Sequence, residues 1–165
     1  MHIKIAETSD INRLKLVIKS MLQIPLGISL FNQRYGGDFT YEKLSKIIDS
    51  RQQVWIMESD ESKLIGFSEL WLKDDGYFEL GYTIFPDYQK LGYGYSMVKT
   101  VFVECKDNLK IKFLKIEAET SNVGSIKIME KLKTDFPISE KYINESYEPP
   151  TLIYTWKFWS FLWSG

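Results

Sequence analysis

One cysteine, Cys105, and one histidine, His2, stand in a chain of 165 residues. A lone cysteine excludes an intrachain disulfide, and the two residues together are too few for a structural zinc cluster. The same shortage removes the Ser-His-Asp and Cys-His arrangements of common hydrolases, since His2 sits at the chain end. Acid–base work then falls to carboxylates, tyrosines or water, and no metal is expected. Charge of one sign is also lacking. With 21 Lys and Arg against 22 Asp and Glu, the formal net charge is -1, far from the positive potential that binding a phosphate backbone needs. Nucleic acid is not an expected partner. No run reaches the roughly 18 apolar residues of a membrane span, and "MHIKIAETSD" has no basic region leading into an apolar stretch. The expectation is a cytoplasmic protein with no integral membrane segment. Linkers, repeats and low-complexity tracts are missing too, so residues 1–165 read as one domain. What is present is a 44% hydrophobic share, enough for a packed core in a chain of this length.

Periodicity orders the elements. Ile3 and Ile5 alternate in a short first strand, and Ser9 or Asp10 caps a helix carrying Ile11, Leu14, Val17, Ile18, Met21 and Leu22. Residues 25–39 show no clear period and read as a loop, followed by a helix over 41–49. "QVWIMES", "KLIGFSELWL" and "YFELGYTIF" form an antiparallel meander, turning at Asp60-Glu61 and at Asp74-Asp75-Gly76. "GYSMVKTVFVEC" places Met97, Val98, Val101, Phe102 and Cys105 on one helical face, and "FLKIEAET" returns to alternation at Leu114, Ile116 and Ala118, so strand, helix and strand make a parallel crossover. A helix over about 124–133 and two late strands near 137–143 and 152–158 complete the order. The aromatic end "TWKFWSFLW" has two readings: Trp156, Trp159 and Trp163 make a surface for a homodimer or other partner, or a final strand tucks Trp156 and Phe158 into the core.

The chain has ten glycines, yet Gly92 and Gly94 lie one residue apart between the third meander strand and a helix. Unpartnered amides and the helix dipole make such a start an anion site, and glycine lets the anion come close. Three phosphate loops compete. The Walker pattern G-x-x-x-x-G-K-[ST] is absent, and the dinucleotide pattern G-x-G-x-x-G fails at Met97. The third, Q/R-x-x-G-x-G/A, is met by Gln89-Lys90-Leu91-Gly92-Tyr93-Gly94.

On that loop, on Pro86 and Tyr88 ahead of it, and on Asn122, Ser125, Ile128, Glu130, Lys131 and Leu132 in "NVGSIKIMEKL", the chain resembles the GCN5-related N-acetyltransferase (GNAT) superfamily. "ELGYTIFPDY" and "MEKL" look closest to the branch of ribosomal-protein N-terminal, antibiotic and polyamine acetyltransferases. The resemblance implies an α+β fold: a mostly antiparallel mixed sheet of about six or seven strands with one splayed parallel pair, flanked by about four helices. It departs at Lys133-Thr134, where Gly-Phe is common, and at Met129, where many relatives place a tyrosine taken as the general acid.

The resemblance further implies acetyl-CoA as cosubstrate and direct attack by an acceptor amine. Gln89, Lys90, Leu91, Gly92, Tyr93 and Gly94 would hold the pyrophosphate through backbone amides. Thr83, Ile84 and Phe85 would pair with the pantetheine arm, Asn122 and Ser125 would contact its far side, and the Ile84 N–H would polarise the thioester carbonyl. An oxyanion donor of this kind is worth about 3–4 kcal/mol of barrier. An alkylamine with a pKa near 10 must lose a proton before attack. Glu79 is the first candidate for that base, Glu117 the second, Glu69 the third. A two-residue turn at Asp75-Gly76 would put Glu69 and Glu79 on opposite faces, and a three-residue loop would put them on one. The acceptor is a small-molecule amine, such as an aminoglycoside or polyamine, or a protein N-terminus. A coenzyme-binding module without catalysis is the alternative, favoured by Met129.

Overall fold

A computed structural model of the chain describes residues 1–35, 40–50 and 53–158. β1 (His2–Ile5) leads through three helices, α1 (Thr8–Met21), α2 (Pro25–Tyr35) and α3 (Tyr41–Asp49), to β2 (Gln53–Glu58), β3 (Leu64–Leu72) and β4 (Phe78–Ile84). A 3-10 turn at Pro86–Tyr88 precedes α4 (Tyr93–Val103), and a π turn (Glu104–Asn108) precedes β5 (Phe113–Glu119), α5 (Val123–Asp135), β6 (Glu140–Asn144) and β7 (Thr151–Lys157). The seven strands form one sheet in the order β1-β2-β3-β4-β5-β7-β6. Every described pairing is antiparallel except β4 with β5. This is the mixed α+β architecture that the sequence predicts.

Two helix readings change. The stretch expected as a loop contains α2, because Pro25 supplies a pre-set first helical position and Phe31 is fully buried. Its apolar pattern is blurred at Gly27, where a Cβ would sit 2.0 Å from the Met21 carbonyl oxygen. Gly27 is there to let α2 turn tightly off α1. The other change is the cap of α1. Glu7 is the N-cap and exchanges side chain to backbone bonds with Asp10, which is the third helical residue.

The strand alternation sends residues to two different cores. Val54, Ile56 and Phe67 pack beneath α1, α2 and α3 against Leu14, Ile18, Phe31 and Leu44. On the opposite face Trp55, Leu80, Leu114, Ile116 and Trp156 pack against Met97, Val98, Phe102, Met129 and Leu132 of α4 and α5. Cys105 is fully buried in that second core, and burial pushes its thiol up to about 12, so it serves packing. Trp156 joins the same core, with its indole N–H donating to the Phe136 carbonyl. Trp159 and Trp163 lie outside the described residues. No single described helix is long and apolar enough to cross a membrane.

Two local features shape the site. The β3–β4 connection is the three-residue loop: Lys73 N–H donates to Tyr77 C=O at 2.9 Å, and Gly76 takes a φ of +80°. Glu69 pairs with Gly81 and Trp71 with Glu79, so Glu69 and Glu79 share a face. The parallel ladder between β4 and β5 is limited to Phe78 with Leu114 and Glu79 with Lys115. Beyond Glu79 the two strands part, although β4 runs to Ile84 and β5 to Glu119.

Candidate active site

The parting of β4 and β5 leaves backbone groups pointing into a gap. Antiparallel pairs alternate between exchanging both hydrogen bonds and exchanging none. Lys73 with Tyr77 and Ile65 with Phe85 bond across β3 and β4. Counting in twos from those anchors, Thr83 also spends its amide and carbonyl on β3, while Tyr82 and Ile84 turn theirs toward β5. The Ile84 carbonyl accepts from Gln89 Nε2 at 2.9 Å, so the first residue of the glycine loop is tied to the strand that precedes it. Of the three residues expected to pair with a pantetheine arm, Ile84 alone has the right orientation. Phe85 donates its N–H to Ile65 C=O at 2.9 Å, which removes it from the set. Tyr82 turns its backbone groups the same way as Ile84, and the two-residue period from Ile84 is the signal that points to it.

The glycine loop follows. Lys90 and Gly92 have φ of +62° and +86°, a change of backbone hand that turns successive N–H groups into a concave anion nest. Gly92 is the N-cap of α4, and the first turn's amides, at Tyr93, Gly94 and Tyr95, precede the Ser96 N–H to Gly92 C=O bond at 3.3 Å. The two glycines serve different ends. A Cβ on Gly92 would touch nothing within 4 Å, so its role is the left-handed φ. A Cβ on Gly94 would lie 2.7 Å from Ile128 Cδ1, so Gly94 lets α4 approach α5. Asn122 caps α5, its Oδ1 accepting from Ser125 N–H at 3.1 Å.

Two cavities meet at this gap. The larger, about 700 Å³, is lined by Thr83, Ile84, Gln89, Lys90, Gly92, Gly94, Lys127 and Ile128 among others. Leu91 and Tyr93 do not line it, and Leu91 is exposed, so any contribution from these two is through the main chain. The smaller, about 270 Å³, is lined by Glu79, Glu117, Glu119 and Glu148, with Tyr35 and Tyr147. Arg34, Tyr82, Asn122 and Ser125 line both. The cationic residues Lys90, Lys127 and Arg34 line the larger cavity, and among the described residues its lining holds no carboxylate. The smaller has four carboxylates against Arg34.

The three candidate bases separate by position. Glu69 is fully buried, 3.2 Å from Arg34 Nη2 and 3.0 Å from the Tyr35 hydroxyl, and it lines neither cavity. Its role is to hold Arg34. The guanidinium lies against Gly81, where a Cβ would fall 1.6 Å from Nη2. Burial is the largest single influence and opposes its charge, but Glu69, Tyr35, Glu79 and Tyr82 together outweigh it and raise the Arg34 pKa. No sequence signal marked Arg34, because it sits in the stretch without a period.

Glu79 and Glu117 both face the smaller cavity, and Lys115 lies beside each: across the ladder from Glu79 and two residues before Glu117. Burial, and after it the Glu117 charge, raise the Glu79 pKa, against the opposing pull of Arg34 and of Lys73, whose Nζ is 3.3 Å away. Lys115 is held between Asp75 at 2.8 Å and Glu117 at 3.1 Å. A buried carboxylate whose pKa is raised, in a cavity that opens on the gap, is a candidate for a general base. Met129, by contrast, is fully buried in the core beneath the sheet.

Comparisons with known proteins agree with this fold. Residues 28–134 match the model of a family described as Acetyltransferase (GNAT) domain. No match was found among curated proteins. The fold is similar to the ribosomal-protein-S18-alanine N-acetyltransferase of Escherichia coli, with a TM-score of 0.66 and 15% identity over 99% of this chain and 97% of that one. It is also similar to spermidine N-acetyltransferase of Vibrio cholerae in complex with CoA and spermine (0.70, 12%, 95% of each chain). A third similar structure is an N-acetyltransferase of Staphylococcus aureus Mu50 (0.68, 14%, 96% and 98%).

Proposed function

The chain belongs to the acetyltransferase (GNAT) domain family and is an acetyl-CoA-dependent acyltransferase, and from that premise we propose that it acetylates a primary amine carrying further positive charge. Polyamines and aminoglycosides are amines of this kind. The observation that carries the proposal is the division of charge between the joined cavities: lysines and Arg34 on the larger, four carboxylates on the smaller. An anionic coenzyme suits the first and a cationic acceptor the second. The spermidine enzyme of similar fold is consistent with such an acceptor.

In this reading the nest from Gln89 to Gly94, with Lys90 and Lys127 near it, holds the pyrophosphate. The Ile84 N–H, turned into the gap, polarises the carbonyl to be attacked. Glu79 receives the proton of the incoming ammonium, directly or through water. Glu117, steadied by Lys115, keeps the cavity negative and helps raise the Glu79 pKa. Glu119 and Glu148 remain for the rest of a polycation, since consecutive inward residues of a strand such as Glu117 and Glu119 stand about 6.6 Å apart. A zwitterionic amino acid would bring its own carboxylate into this wall and is disfavoured.

The test is kcat/KM with acetyl-CoA across a polyamine, an aminoglycoside, a simple alkylamine, a free amino acid and a peptide. The expected order has both polycations at least about tenfold above the alkylamine, which corresponds to roughly 1.4 kcal/mol. A free amino acid or a neutral peptide as the preferred acceptor would refute the proposed class.

A further inference from the structure

A cavity walled by Glu79, Glu117, Glu119 and Glu148 calls for counter-charge, and two lysines beside it supply that charge in different ways. Lys115 is buried and held between Asp75 at 2.8 Å and Glu117 at 3.1 Å, so it is fixed. Lys73 opens the β3–β4 loop and makes one ion pair among the described residues, from its Nζ to Glu79 Oε2 at 3.3 Å. Its side chain is 38% exposed, against 9% for Glu79. Lys73 lines neither cavity, so its ammonium reaches Glu79 without filling the acceptor's space. Trp71, paired with Glu79 across the ladder, has its ring centroid 5.5 Å from the same Nζ. The ring offers the ammonium a second favourable position once it leaves the carboxylate.

We infer that Lys73 is a resident stand-in for the acceptor's ammonium: it pairs with Glu79 while the cavity is empty and gives up that place when a cationic amine enters. This rests on the reading of the chain as an acetyltransferase of cationic amines. The groups around Glu79 determine what the exchange does. Glu69 shares its face from β3, Lys73 comes from the loop, Lys115 and Glu117 from β5, and Arg34 and Tyr35 from α2. Burial first, and then the Glu117 charge, raise the Glu79 pKa, while Arg34 and Lys73 lower it. Arg34 is tied to Glu69 at 3.2 Å and Lys115 to two carboxylates, so Lys73 is the cation of this set able to leave. Once it has left, the acceptor's N–H bond breaks, the electron pair stays on nitrogen for the attack, and the proton goes to the Glu79 carboxylate. With Lys73 absent, one fewer positive charge opposes that protonation. Lys73 thus competes with every amine for Glu79, whatever the rest of the acceptor carries.

The test compares two pH profiles, because the acid limb of kcat/KM follows Glu79 in the free enzyme and that of kcat follows it in the complex. Wild type is measured beside Lys73→Met, which keeps the side-chain length without the charge, and Lys73→Arg, which keeps the charge. Each is assayed with acetyl-CoA and, in turn, a polyamine and a simple alkylamine. Lys73→Met should move the kcat/KM limb to higher pH by about half a pH unit, about a threefold change in the ionisation equilibrium, and leave the kcat limb in place. Above that limb, KM for both amines should fall by about two- to fivefold, with kcat within about twofold of wild type. Lys73→Arg should keep the wild-type profile. A kcat limb that moves as far as the kcat/KM limb would mean that Lys73 stays on Glu79 in the complex, and would overturn the exchange. Two unmoved limbs, or a KM that rises, would overturn it as well. A gain confined to the polyamine would set Lys73 against the distal carboxylates and remove it from Glu79. No turnover of any amine by the wild type would overturn the acetyltransferase reading itself, and this inference with it.

Discussion

At the residue scale, the candidate base and the loop glycine give separable expectations. The raised Glu79 pKa means that the folded chain holds this proton more tightly than the unfolded one. Its contribution to stability therefore declines as pH rises from the ordinary carboxylate value through the folded pKa, and at neutral pH the charged form is a cost. Glu79→Gln should melt at or above the wild-type temperature at pH 7 while losing about 100-fold or more in kcat/KM, read by thermal unfolding and initial rates. A lower melting temperature with normal turnover would show a structural residue. Glu117 raises the Glu79 pKa, so Glu117→Gln should move the acid limb of the kcat/KM–pH profile to lower pH, and an unmoved limb would separate the two groups. Gly92→Glu puts a carboxylate beside the nest and a side chain at a φ of +86°. Calorimetry should find acetyl-CoA binding lost, with at most about 1–2 kcal/mol of stability lost as well; unchanged affinity would remove the loop from the coenzyme site.

At the element scale, the least legible helix carries the most consequential unexpected side chain. α2 holds Arg34 against Gly81 and Glu69, and it is anchored by the fully buried Phe31. Phe31→Ala should cost about 3–5 kcal/mol of stability. In initial rates measured without denaturant, where the variant is still folded, it should also raise KM for the acceptor more than KM for acetyl-CoA; the reverse pattern would place α2 on the coenzyme side. The meander, the crossover helix and β5 were readable because their apolar residues repeat every two or every 3.6 positions, as at Leu114, Ile116 and Ala118 or Met97, Val101 and Cys105. α2 escaped because Gly27, at its close approach to α1, occupies a position where an apolar residue would have completed the pattern. Hairpin register was equally hidden: "DDG" allows two loop lengths, and the choice rests on Lys73 pairing with Tyr77. The glycine loop was legible because backbone conformation leaves a sequence mark in Gly92. Main-chain direction leaves none, so the turning of Phe85 toward Ile65 and of Tyr82 toward the gap needed the sheet.

At the scale of the whole molecule, a chain of near-zero net charge divides its charge locally. The sheet splits between β4 and β5, and the split separates a cationic cavity from an anionic one while four residues line both. Nothing in the composition shows this, because charge separation across a gap depends on which strands part. The burial of Met129 in the core keeps alive the contrast between an enzyme and a coenzyme-binding module without catalysis. The most direct measurement is a stoichiometric assay with acetyl-CoA and a polyamine, following free thiol and N-acetylated product together. Equal amounts of the two, in many turnovers per protein molecule and abolished by Glu79→Gln, are expected. Acetyl-CoA binding with no acetylated product from any amine offered would contradict catalysis and leave a binding module.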